Sequence, residues 1–318
     1  MATARLRVIL DCDPGHDDAL AIMLACAHTD LVAVTTVGGN VGLDRTTRNA
    51  IQILDLIGRP DVPVHAGAAR PLVNEANSAT NIHGESGLAG ADLPEPSRAA
   101  TSDDAVEFIC AQINAEQAGG ANDGAGVWLV VTGPMTNVAL AFQRDPTLAA
   151  KLAGVSFMGG STHVGNWSST AEFNIWADPE AADVVVSSGV PMIMAGLNIT
   201  HAFQATPSRI ALLRTVPSRP AQLFSDLLTE FSERYCARQH DVVGAPMHDP
   251  LAVLALTHPE LFATYDARLD IELVGMHTRG MTVVDQRGFR DMPEANCRVL
   301  KTIDADAAFA LIVDAASK

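Results

Sequence analysis

Residues 8–25 read VILDCDPGHDDALAIMLA: an apolar run that turns acidic, breaks at Pro14-Gly15 and resumes as an apolar segment of helical length. The opening is strand-like and the close helix-like, so the stretch reads as strand, tight turn and helix. Asp11, Asp13, Asp17 and Asp18 crowd into that one turn. Carboxylates this close repel, and burying even one without compensation costs several kcal/mol. The offset must come from elsewhere in the chain or from a bound cation. Acidic side chains in a first helical turn also favour the helix dipole. That accounts for one aspartate and not for four; Asp11, ahead of the turn, best fits a structural role. Hard oxygen ligands with no Cys–His pair beside them suit Ca²⁺ or Mg²⁺ and argue against zinc.

The alternation continues outward from this stretch. Strand-like runs at 31–39, 62–67, 127–133, 155–160 and 191–198 alternate with helix-like segments at 46–58, 105–113, 136–143 and 179–189. That rhythm predicts βαβ units around a mostly parallel sheet. Beyond Ser208 the pattern is helical to about His240, and another helix follows Asp249. IELVG (271–275), MTVVDQRG (281–288) and CRVLKTI (297–303) read as late strands, and a helix closes the chain. Ligands of open α/β sheets bind beyond the carboxyl ends of the strands. Four polar clusters fall at such ends: DCDPGHDD (11–18), GGN (38–40), TGPMTN (132–137) and MGGSTHVGN (158–166). Residues 74–98 form a small-and-polar stretch too long for a mere connector.

The 318 residues, 48% of them hydrophobic, are sufficient for one α/β domain spanning 1–318. A net charge of −16 disfavours nucleic acid and anionic membranes, leaving a small molecule as the expected partner. No apolar run is long enough for a transmembrane helix. Five dispersed cysteines without a CxxC pair suit reduced thiols, and MATARLRVIL runs straight into a strand, so a cytoplasmic protein is expected.

A further acid stands far along the chain. PMHDPLAVLAL (246–256) sets His248 and Asp249 before Pro250 and an apolar helix. Asp as N-cap with Pro at the first helical position is ordinary helix chemistry. ADPEAADVVV (177–186) has the same pattern, and there Asp178 reads as a cap. His248 gives the later stretch its second reading, because a histidine beside a metal ligand can supply a proton near neutral pH.

DCDPGHDDALAI, VGGN, HGESG, TGPMTN, MGGSTHVGN, AEFNIWADPEAA and HDP, in this order, resemble the nucleoside hydrolases, the inosine–uridine-type N-ribohydrolases. The resemblance covers nearly the whole chain. It implies a Rossmann-like α/β domain that binds one Ca²⁺ and forms homodimers or homotetramers. It also implies that Asp13, Asp18 and Asp249 give side-chain oxygens to the ion and Thr132 its backbone carbonyl. Asp17, Asn40, Glu172 and Asn174 would hold the ribose hydroxyls, with Met158 and Asn166 on the 5′ side. Asp13 would act as base towards water, and His248 would protonate the leaving base with His83 in support.

Other positions keep two readings. Phe173 is core packing or a wall facing the base. Tyr235, Gln239 and His240 contact the base or end a surface helix. Trp167 and Trp176 read as core aromatics. His16 stands where an aliphatic residue is usual; it points away from the metal, or inwards to pair with a carboxylate. GAPMHDP (244–250) is more similar to pyrimidine-preferring members. The alternatives are a purine-preferring or unusual-riboside hydrolase, or a nucleoside-binding protein without turnover; that last class needs neither the base nor the acid.

Overall fold

Val8, Leu10 and Cys12 point to one face of the first strand and Ile9 to the other, and both faces are covered by apolar side chains. A strand buried on both sides reads as a continuous apolar run, which is why 8–12 shows no alternation. The computed structural model describes residues 5–76, 78–118, 126–239 and 242–318. Its ten strands are β1 (Arg7–Cys12), β2 (Asp30–Thr36), β3 (Val64–Ala66), β4 (Trp128–Val131), β5 (Gly154–Met158), β6 (Met192–Ala195), β7 (Phe262–Ala267), β8 (Leu269–Ile271), β9 (Thr282–Val284) and β10 (Cys297–Ile303). Eight form one sheet in the order β3-β2-β1-β4-β5-β6-β10-β7. All its pairings are parallel except β10 with β7. This is the expected Rossmann-like architecture, with extra helices and strands in the C-terminal third.

Two expectations for the late strands are corrected. IELVG supplies only Ile271, the last residue of the short β8, and MTVVDQRG only the short β9; β8 and β9 pair with each other outside the main sheet. β7 was not anticipated; it is an edge strand with a largely exposed side-chain pattern and so lacks an apolar run.

The sheet order reverses between β1 and β4, and the crevice at such a switch point is where ligands bind. Helix Asp18–His28 is buried from Asp18 through Cys26, wedged between the sheet and the outer helices. A helix apolar on every side belongs in a core. Its N-terminus, with the acidic turn, is therefore fixed at the switch point by the packing of Leu20, Ile22 and Leu24.

Candidate active site

The acidic turn and the distant Asp249 meet at this crevice. Asp17, Asp18 and Asp249 offer carboxylate oxygens within 4.8 Å of one another, and all three are buried. Asp17 and Asp249 both occupy helix N-cap positions, yet neither side chain makes a capping hydrogen bond. Asp178, in the same Asp-Pro context as Asp249, does cap, accepting from the Ala181 N–H at 3.1 Å. The ordinary capping reading therefore holds for Asp178 and fails for Asp249.

Asp13, Asp17 and Asp18 are held from the protein side. Asp18 accepts from the Gly15 N–H at 2.9 Å, the Asn40 amide at 3.2 Å and the Thr132 hydroxyl at 2.8 Å. Asp17 accepts from the His248 N–H at 3.0 Å. Asp13 accepts from the Asn40 N–H at 2.6 Å through one oxygen, while its other oxygen, Oδ1, is buried without a partner. Gly133 makes room for that oxygen: a Cβ there would lie 2.8 Å from Asp13 Oδ1. Burial, reinforced by neighbouring carboxylates, pushes Asp13 and Asp249 well above the usual carboxylate range and Asp17 up to about 7. Burial also raises Asp18, against its hydrogen bonds. Two unit charges at this spacing repel by about 3 to 4 kcal/mol at an effective dielectric constant of ~20. An orphaned buried oxygen and a cluster of hard ligands fit a divalent cation, which would let all the carboxylates ionise.

Above this floor lies a cavity of about 380 Å³, in the roughly 300–1,000 Å³ range of small-molecule sites. Asp17, Asn40, His83, Thr132, Met158, Asn166, Glu172, Phe173, Asn174, Tyr235, Gln239, His248 and Asp249 all line it. Asp13 and Asp18 lie behind its surface, fully buried. His240 falls outside the described residues. Asn174 donates to the Thr132 carbonyl at 2.7 Å, so the expected metal-facing carbonyl and a ribose contact are coupled. Glu172 caps helix Phe173–Ala177, accepting from the N–H groups of Gly160, Asn174 and Ile175. Burial nonetheless raises it to about 7. Asn166 accepts from the Phe173 N–H at 3.0 Å, which fixes that phenyl ring at the cavity edge.

The structure adds to three sequence readings. Trp167, read as core, lines the cavity edge-on to Phe173, with ring centroids 4.9 Å apart. His16 meets no carboxylate; its ring stacks on Phe231 and His83, and its Nε2 lies 2.9 Å from the Ala89 carbonyl. His248 has Nδ1 2.7 Å from the Thr200 hydroxyl. Burial lowers its pKa to about 3, which favours the neutral ring. Sequence reasoning also missed Asn81, Ile82, Phe231 and Arg238 as cavity residues. Phe231, Tyr235 and Arg238 recur at helical spacing, a signal that marks one face of helix Arg219–Cys236 and its continuation.

Comparison with known proteins fits this geometry. A family model described as inosine-uridine preferring nucleoside hydrolase matches residues 8–310. The chain belongs to this family. It is a nucleoside hydrolase, an N-ribohydrolase acting on the bond between ribose and base. A protein of Shewanella woodyi named pyrimidine-specific ribonucleoside hydrolase RihA is 45% identical over 299 residues, 93% of each chain. A protein of the same name from Salmonella paratyphi A is 44% identical over 88% of each chain. Among solved structures, a purine-preferring ribonucleoside hydrolase from Gardnerella vaginalis superposes with a TM-score of 0.89 at 30% identity, covering 98% of this nucleoside hydrolase and 99% of that chain.

Proposed function

We propose that the chain hydrolyses pyrimidine ribonucleosides to ribose and free base with Ca²⁺ bound at the floor of the cavity. The observations that carry the metal part are the buried cluster of Asp17, Asp18 and Asp249 and, separately, the buried unpartnered Oδ1 of Asp13. The pyrimidine part is supported by the similarity to relatives named pyrimidine-specific. Asp13, Asp18, Asp249 and the Thr132 carbonyl would hold the ion. Calcium supplies positive charge that orients a water and lowers its pKa.

The chain's own residues do the rest. Asp13 takes the proton of the attacking water. Asp17, Asn40, Glu172 and Asn174 hold the ribose hydroxyls, and Met158 and Asn166 bound its 5′ side, which orients the sugar for attack. The surrounding carboxylates favour the positive charge that develops on ribose as the glycosidic bond breaks. In the neutral tautomer whose Nδ1 accepts from the Thr200 hydroxyl, His248 offers its Nε2–H to the leaving base as a hydrogen bond. Phe173 and Trp167 wall the base on one side, and Tyr235 and Gln239 on another.

The reading extends to a cytoplasmic homo-oligomer of one domain, residues 1–318, its assembly measurable by light scattering. The test of the reaction is ribose release from uridine, cytidine, inosine and adenosine, before and after metal is stripped and Ca²⁺ restored. Calcium-restored release, fastest from uridine or cytidine, is expected. Fastest release from inosine would replace the pyrimidine reading with a purine one, and release unaffected by metal removal would contradict the calcium assignment.

A further inference from the structure

His16 and His83, 67 residues apart, face each other through their Nδ1 atoms at 3.0 Å, and Phe231 stacks on both rings. The other nitrogen of His16, Nε2, lies 2.9 Å from the Ala89 carbonyl oxygen. A carbonyl oxygen only accepts, so His16 Nε2 carries a hydrogen. In a neutral ring His16 Nδ1 is then a bare acceptor, and the close Nδ1–Nδ1 contact needs its hydrogen from His83. Gly15 permits the approach, since a Cβ there would lie 2.6 Å from His83 Nδ1. This edge of His83 is thus fully occupied, leaving Nε2 to the cavity that His83 lines.

We infer that His16 is a positioning residue: it fixes His83 with its hydrogen on Nδ1, so that His83 Nε2 presents a lone pair to the cavity and accepts from an N–H or O–H of the nucleoside. The opposite assignment has His83 Nδ1 accepting from the His16 backbone N–H 3.3 Å away. That would set two ring lone pairs 3.0 Å apart. Both rings are buried, and burial favours the neutral form of an imidazole. His83 is then the accepting partner in the cavity and His248 the donating one. The tautomer is argued from the Nδ1–Nδ1 contact, the His16–Ala89 contact and neutral buried rings; its use on substrate rests on the hydrolase reading above.

The test is the ring nitrogen spectrum of the full-length protein at neutral pH, from two-bond ¹H–¹⁵N correlations, with His83 assigned by its disappearance in His83→Gln. The expected result is a protonated Nδ1 and bare Nε2 at His83, with the reverse at His16. A protonated Nε2 at His83 in the wild type overturns the inference. In His16→Leu, His83 is expected to revert to the Nε2–H form that imidazole favours in water. His16→Asn, whose side-chain oxygen can stand in for Nδ1, is expected to restore the Nδ1–H form. KM for uridine in His16→Leu is expected to rise by about tenfold, the worth of one hydrogen bond, with kcat changed less. An unchanged His83 tautomer in His16→Leu removes His16 from the role. The spectrum contains no substrate, so the expected tautomer in a protein that releases no ribose would count against the hydrolase reading and leave this inference standing.

Discussion

The acidic floor of the cavity and its outer wall are built by different means. Asp13, Asp17 and Asp18 stand at the end of β1 and the start of a helix buried from Asp18 through Cys26. Phe231, Tyr235 and Arg238 stand at the end of helix Arg219–Cys236 and just beyond it, and Arg238 reaches the Asn81 carbonyl at 3.0 Å across the long loop. Core packing fixes the floor, while a few polar and ring contacts fix the wall. Reaction chemistry needs fixed geometry, and choice of base tolerates adjustment. The floor is therefore expected to govern kcat and the wall to govern which base is taken.

The largest expected effect tests the floor. Asp13→Asn removes the proposed base and is expected to lower kcat for ribose release by roughly 10²–10⁴-fold, the usual worth of a positioned base. The same change removes one of several crowded buried charges, so the melting temperature of the metal-free protein is expected to hold or rise. A fall in both activity and stability would make Asp13 a structural residue instead.

His248→Ala comes next. Loss of one hydrogen bond to a charge-bearing leaving group, about 1.5 to 3 kcal/mol, corresponds to roughly 10- to 100-fold in kcat. Little change in KM is expected, because the bond strengthens as the base departs. A rise in KM at constant kcat would move His248 from the reaction to ground-state binding.

The third prediction concerns pH. Asp17 has an ordinary value of 3.8 and is raised to about 7 in the folded protein. The folded state therefore holds a proton that the unfolded chain gives up, and this contribution to stability is fully present below the unfolded value. It is lost as pH rises through the folded one. The melting temperature of the metal-free protein is accordingly expected to fall between about pH 4 and pH 7, and calcium is expected to reverse the fall. A calorimetric scan series at both metal states measures it; parallel curves with and without calcium would contradict the assignment.

The smallest effect belongs to the wall. Arg238→Ala unties the end of the helix from the loop at Asn81 and is expected to change the uridine-to-inosine ratio of kcat/KM by only a few-fold, the scale of one hydrogen bond. An effect on kcat as large as that of Asp13→Asn would erase the distinction between floor and wall.

The same distinction sets what was legible in the sequence. The strand, turn and helix at 8–25 are local, and the apolar run and Pro14-Gly15 declare them without reference to the rest of the chain. The motif order extends this to Asn40 and Thr132, just beyond parallel strand ends, and to Asn174 and Asp249, which helix starts bring to the same cavity. β7 was hidden because an exposed antiparallel edge carries no apolar run. The direction of His16 was hidden because its partners, His83, Ala89 and Phe231, are set by the long loop and a distant helix. Trp167 was misread because size alone favours a core position, and only the fold reveals the cavity edge it faces. The carboxylate of Asp249 could not be told from that of Asp178 by sequence, since both precede Pro at a helix start and differ only in whether the side chain turns back to cap.

The account rests on a cation held by the carboxylate floor, and calorimetric titration of calcium into the metal-stripped protein tests it most directly. The account predicts one ion per chain, protons released on binding as the raised carboxylates ionise, and loss of that site in Asp18→Asn. No calcium binding, or binding unchanged in Asp18→Asn, would contradict it.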